Sequence, residues 1–256
     1  MKPLAIFKVG DTFPSIAAQL GDFEHWIVDG LEPHKCVVQV FDPRQNITLP
    51  NVPDISGAII SGSHSMVTDK APWSERLAAW LREAVPKKLP ILGICFGHQL
   101  LAHAFGGNVE NHPGGLEIGS VNVKLTDSAK KDLLFSSMPC DFAANAVHRQ
   151  SVRTLPDQAV LLASNSFERH QAFRIGSRAW GVQFHPEFGE AAMQNYIWEI
   201  GRQAKNGESI AIGSISQVVP TAESANILRR FANLVTQVSN ERPERLDGNV
   251  LTRVVG

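Results

Sequence analysis

An α/β fold is what this sequence predicts: three layers, with a mainly parallel sheet covered by helices on both faces and an antiparallel addition in the second half. Three observations carry that expectation. Apolar, β-branched runs without polar alternation recur through the first half, as buried parallel strands require. Segments of helical period separate them. The second half holds short strand candidates joined by small loops, which suits antiparallel pairing.

The elements follow in order. Pro3–Val9 (PLAIFKV) reads as a strand, and PSIAAQLGDFEHWIVDGL as helix interrupted at Gly21. Cys36–Phe41 is a second strand closed by Asp42-Pro43, and Gly57–Ser63 a third stopped by glycine. From Trp73 to Val85 the apolar positions Trp73, Leu77, Trp80, Leu81 and Ala84 fall on one helical face. Leu89–Ile94 is a fourth strand, and His98–Phe105 a helix ending at Gly106-Gly107. Beyond it SVNVKLT, DFAANAV, AVLLAS, QAFRI and AWGVQF are strand candidates. Glu190–Lys205 and Ala222–Val238 are helical, SIAIGSISQVVP between them fits strand or loop, and NERPERLDGNVLTRVVG at the end has no clear period. With no repeat and no linker, one domain over residues 1–240 and a tail over 241–256 is the expected organisation.

Composition narrows the function. The 256 residues carry a formal net charge of −1 and no long basic run, so nucleic-acid binding has little support. No segment has the length and apolarity of a signal peptide or a membrane span. Three cysteines, Cys36, Cys95 and Cys140, form no CxxC pair, and free thiols in a reducing cytoplasm are the expectation. His98 and His103 near Cys95 lack zinc spacing, so neither a metal nor a cofactor is expected.

Cys95 stands apart from the other two thiols. Gly93 and Gly97 bracket it as G-x-C-x-G where a buried strand feeds a helix, the thiol counterpart of a nucleophile elbow. Such a turn strains the nucleophile's backbone and needs small neighbours on both sides. The helix N-terminus favours thiolate over thiol, and the backbone N–H of Phe96 is placed to form half of an oxyanion hole. A thiol nucleophile also needs a base and an orienting group. AWGVQFHPEF supplies both: His185 and Glu187, two apart around Pro186, project to one side at a strand end. A Cys95–His185–Glu187 triad follows, with Glu187 fixing the imidazole tautomer.

GICFGHQ with a distant HPE resembles the class I (triad) glutamine amidotransferases, in particular the glutaminase domain of GMP synthase and its stand-alone relatives, γ-glutamyl peptidases among them. Supporting pieces run in order from Ala58 to Glu187: Ser61-Gly62-Ser63 at the oxyanion-strand loop, Gly114–Gly119 after the elbow helix, and Val147-His148 at the substrate loop. The resemblance implies a flavodoxin-like sheet arrangement. It also implies attack of Cys95 on a γ-glutamyl amide, an oxyanion held by Gly62 and Phe96, and substrate contacts from Gln99 and from the backbone near His148. Where the family usually has Gly-Asp after that histidine, this chain has Arg149-Gln150, and Arg149 is expected to meet a substrate carboxylate, such as the far end of a γ-glutamyl peptide. Three readings stand: a γ-glutamyl hydrolase acting alone on a small molecule, a glutaminase subunit passing ammonia to a separate synthetase chain, and a silent binding protein on the same fold. The residues indicate no oligomeric state.

Overall fold

The structure is a computed structural model that describes residues 2–33, 36–205, 212–215 and 217–241. The strands are β1 (Leu4–Phe7), β2 (Val38–Phe41), β3 (Gly57–Ile60), β4 (Ile91–Ile94), β5 (Asn108–Asn111), β6 (Leu116–Leu125), β7 (Asp141–His148), β8 (Gln150–Thr154), β9 (Ala159–Ser164), β10 (Ala172–Ile175), β11 (Ala179–Val182) and β12 (Ile212–Ile215). The helices are α1 (Pro14–Leu20), α2 (Phe23–Gly30), α3 (Pro72–Ala84), α4 (Phe96–Ala104), α5 (Glu190–Lys205) and α6 (Ala222–Glu241).

Ten strands form one mixed sheet in the order β12-β6-β9-β10-β11-β4-β3-β1-β2, with β7 also paired to β6. From β2 through β11 every pairing is parallel. From β11 onward β10, β9, β6 and β7 join antiparallel, the addition that the second half predicts. Side-chain alternation divides the core between the two faces. Leu4 and Ile6 of β1 join Ile59, Leu92, Ile94 and the apolar stripe of α6 (Ile227, Leu228, Phe231, Val235). Ala5 and Phe7 point the other way, with Ile60, Ile91 and the buried faces of α3 and α4.

Three local differences from the sequence reading have physical causes. The helix after Cys95 starts at Phe96, two residues before His98, because the elbow turns within one residue. The ribbon β5–β8 is absent from the sequence reading: NVEN and QSVRT are polar, each giving one buried valine (Val109, Val152) to the core. SIAIGSISQVVP holds strand β12 at 212–215, while part of that segment and the tail from 242 lie outside the described residues. The helical segment broken at Gly21 forms as expected, with Gly21 at φ 81° between α1 and α2. Asp22 caps α2: its Oδ1 accepts from the N–H groups of Phe23 and Thr12, both at 2.8 Å, while Oδ2 accepts from Lys8 Nζ at 2.8 Å. Burial works against the Lys8 ammonium, but its bonds to Asp22 and Glu24 override that and raise its pKa. This cluster pins the α1–α2 insertion to the end of β1.

Candidate active site

Strands β4 and β11 are parallel neighbours in register, Ile94 opposite Val182. Their C-terminal ends therefore bring the two sequence-predicted groups together. The Cys95 N–H donates to Val182 O at 2.8 Å, the last rung of that pair, and the backbone then turns to φ 50°, ψ −97°. This is a sparsely populated conformation for a residue with a side chain, of the kind that a packed surround must hold. The surround is close. A Cβ on Gly93 would lie 2.4 Å from Gly97 O, and one on Gly97 would lie 2.6 Å from Ile60 O. Both glycines of G-x-C-x-G are thus steric requirements of the elbow.

His185 sits just beyond β11. Its N–H donates to Asn145 O at 2.7 Å, and its Nδ1 donates to Glu187 Oε1 at 2.7 Å, with both side chains buried. Asn145 clamps the segment further: its Nδ2 donates to Phe188 O at 2.9 Å, and its Oδ1 accepts from Ser120 Oγ at 2.7 Å. The ring stacks on Phe188 with centroids 4.1 Å apart. Burial pulls the His185 pKa down, but the charges of Glu187 and Cys95 override it, and the pKa is pushed up to about 10. The charge of Cys95 acts on the imidazole, but among the described residues His185 Nε2 has no hydrogen-bond partner, and the Cys95 thiol lies 3.7 Å from Val147 O.

Gly62 and Phe96 flank the thiol. A Cβ on Gly62 would lie 2.8 Å from His185 Cε1 and 3.8 Å from Cys95 Cβ, so its backbone is next to both. The peptide is fixed by Ser61, whose Oγ accepts from Val9 N–H at 3.1 Å and donates to Gly62 O at 3.0 Å. Phe96 follows Cys95 directly at the head of α4 and stacks on Trp73 at 5.4 Å.

Cys95, Phe96 and His185 open on a cavity of about 320 Å³ that Gln99, His148 and Arg149 also line. Gln99 Nε2 donates to Gln150 O (2.9 Å) and Gln183 Oε1 (3.0 Å), which leaves Oε1 without a donor among the described residues. For His148 the expectation concerns the backbone near it, and the side chain is engaged elsewhere. Its ring nitrogens face Gln150 O (3.0 Å) and Glu117 Oε2 (2.8 Å), so its side chain is occupied and only its backbone can serve a ligand. Arg149 is exposed, and its guanidinium makes no ion pair among the described residues. His98 is not part of the site. It lies under Phe173 (4.7 Å) against Gly181, where burial pushes its pKa down to about 3. Among the described residues no group of His, Cys, Asp or Glu is placed to hold a metal ion, and no helix is long and apolar enough to cross a membrane.

Sequence reasoning missed the far wall of the cavity: Phe13, His64, Tyr196 and Ile200. Only His64 had a local signal, since it follows Ser61-Gly62-Ser63. The others come from α5 and the α1–α2 insertion, whose apolar residues read equally well as ordinary core.

The sheet order and the thiol elbow beside a histidine–carboxylate pair define a class that comparison with known proteins identifies. The chain belongs to the class-I glutamine amidotransferase family, whose model matches residues 19–200. Among its relatives, a glutamine amidotransferase-like protein of Schizosaccharomyces pombe is 31% identical over 57% of this chain and 58% of its own length. The glutamine-hydrolysing GMP synthase subunit of Methanococcus vannielii is 33% identical over 56% of this chain and 73% of that protein. γ-Glutamyl peptidase 5 of Arabidopsis thaliana is 32% identical over 55% and 57%. The match to a GMP synthase of Borreliella burgdorferi spans 31% of that protein's length, so the chain corresponds to only part of several relatives. The solved glutamine amidotransferase of Methylobacillus flagellatus superposes with a TM-score of 0.73 over 95% of this chain and 96% of its own, at 22% identity.

Proposed function

We propose that the protein is a thiol hydrolase of γ-glutamyl amides, with Cys95 as nucleophile, His185 as acid–base and Glu187 as its orienting carboxylate. The single observation that carries this reading is the strained Cys95 elbow beside a His185 ring already bonded to Glu187. His185 Nε2 already holds the proton taken from the thiol when sulfur attacks the amide carbon. The oxyanion forms against the N–H groups of Gly62 and Phe96. His185 then gives its proton to the leaving nitrogen as the C–N bond breaks, leaving a γ-glutamyl thioester on Cys95. Water, deprotonated by His185, attacks that thioester, releases glutamate and frees the thiolate, with the proton kept on His185. Gln99 Oε1 accepts from the substrate ammonium. Arg149, beside Gln150 on the same wall as Gln99, pairs with the glutamyl α-carboxylate rather than with a carboxylate on the leaving group.

The similarity to the Methanococcus GMP synthase subunit favours a second reading, in which the released ammonia passes to a synthetase chain. The Arg149-Gln150 pair that stands where the family usually has Gly-Asp weighs towards action without that partner.

Both readings are tested by assaying the purified chain on glutamine and γ-glutamyl dipeptides, without ATP, and mapping where a glutamine-like chloroketone attaches. Turnover by the chain alone, with label on Cys95, supports the stand-alone hydrolase. Turnover only after a synthetase chain is added favours the second reading. Label spread over Cys36 and Cys140 as readily as Cys95 contradicts an activated elbow.

A further inference from the structure

We infer that the leaving group this site accepts is an amine bearing an apolar or aromatic substituent, in preference to ammonia or a charged amino acid. The inference rests on the hydrolase reading above and extends it to the substrate class.

The argument starts from where the leaving nitrogen must go. His185 is the group that protonates it, so its substituent extends along the wall nearest His185 and away from Gln99 and Arg149. That wall is a collar of rings. Phe13 lies 4.7 Å from His64 and 5.2 Å from Tyr196, and His64 lies 5.9 Å from Tyr196. Phe188 connects the collar to the site, 4.1 Å from His185 and 4.9 Å from Tyr196. Ile200 of α5 and Met66 also line the cavity.

The polar atoms of this collar are already committed. Tyr196 OH accepts from Thr12 Oγ1 at 2.9 Å and lies 3.2 Å from His64 Nε2. Burial, with the positive charge of His185 second, lowers the His64 pKa, so the collar presents uncharged surface at neutral pH. Among the described lining residues Arg149 carries the only permanent charge, and it is an exposed residue of the β7–β8 turn, outside the collar. A carboxylate on the leaving amine would meet rings and no cation. Ammonia would leave the collar unfilled, and the burial of apolar area that favours a larger group would be lost.

The chemistry is otherwise unchanged. The γ-glutamyl C–N bond breaks, the amine departs with the proton from His185, and water completes hydrolysis of the thioester.

The test is a series of γ-glutamyl amides that differ only in the amine: glutamine, the methylamide, the isobutylamide, the benzylamide and γ-glutamyl-glutamate. The expected kcat/KM for the benzylamide and isobutylamide exceeds that for glutamine and γ-glutamyl-glutamate by about ten- to a hundredfold, the range over which apolar pockets discriminate. Phe13→Ala and Ile200→Gln, made separately so that one misfolding variant does not remove the test, should each shrink the benzylamide-to-methylamide ratio several-fold. Equal kcat/KM across the series, or a ratio that neither folded variant moves, overturns the inference and leaves the hydrolase reading intact. No turnover of any member and no label on Cys95 overturns the hydrolase reading, and this inference with it.

Discussion

Glu117 and His148 face each other as register partners across β6 and β7, with His148 Nε2 2.8 Å from Glu117 Oε2 and side chains 0% and 1% exposed. Glu117 also accepts from Asn165 Nδ2 (2.7 Å) and Gln171 Nε2 (3.0 Å), so the carboxylate collects three donors in the interior. This network holds the start of the β7–β8 turn, whose residues Val147 to Gln150 form one wall of the cavity. Removing one partner strands the other without solvent. Glu117→Ala should therefore destabilise the fold by about 3–5 kcal/mol, read by urea unfolding. Glu117→Gln, which keeps an acceptor, should cost visibly less. Equal stability of Glu117→Ala and the parent would show that the pair does not hold this wall.

The elbow glycines make a steric prediction. In Gly93→Ala the new methyl would lie 2.4 Å from Gly97 O, a backbone atom that cannot swing aside. Overpacking of this kind costs about 1–3 kcal/mol or more. It should also displace Cys95, so labelling by the chloroketone should slow more than thermal stability falls. Gly106→Ala, where an added Cβ meets nothing within 4 Å, is a useful comparison. Gly106 has φ 89°, and its replacement should lose some stability through strain alone, leaving labelling of Cys95 unchanged.

The raised His185 pKa fixes the sign of a pH dependence. Its ordinary value is about 6.5, and in the fold it is pushed up to about 10 by Glu187 and Cys95. Stability from the protonated ring is therefore present in full below about pH 6.5 and is lost as pH rises toward 10. The difference in unfolding free energy between the parent and His185→Ala should shrink across that window. In Glu187→Gln the opposing burial is left with only the Cys95 charge against it, so the titration of His185 moves to lower pH. Turnover in that variant should drop by about two to four orders of magnitude, less than in His185→Ala. An NMR titration of His185 unmoved by Glu187→Gln would refute the orienting role.

Asp22 joins three partners at the root of the insertion, and its loss should be felt at the collar. Asp22→Ala removes an N-cap worth about 0.5–2 kcal/mol and the bond to Lys8. Because Phe13 and Phe23 line the cavity from this insertion, KM for bulky γ-glutamyl amides should rise while kcat changes less. A change in kcat alone would place the effect elsewhere.

The site was legible in the sequence to the extent that its groups sit in short, chemically distinctive strings. Cys95 is fixed by glycines two residues away, and His185 with Glu187 by one tripeptide. The parallel half of the sheet was legible for a similar reason, because unbroken apolar runs have few other uses. What stayed hidden depends on distant contacts. The strand β8 is polar and pairs with β5 at a remove no local period records. Glu117 reads as one charged residue in a strand until His148 is seen across from it. The collar draws Phe13, His64 and Tyr196 from three separate stretches, and each alone is an ordinary aromatic residue.

The place of β11 beside β4 has a consequence for how the chain is made. The thiol belongs to the first half of the polypeptide, and the imidazole proposed to activate it arrives only after β6 through β10 have been synthesised. Until β11 docks, Cys95 has neither its partner His185 nor the Val182 carbonyl that closes the elbow. Because such long-range pairings form late in folding, a ribosome-bound or truncated chain carries the cysteine without His185 beside it. On the proposed mechanism, labelling of Cys95 would thereby report that the sheet has closed.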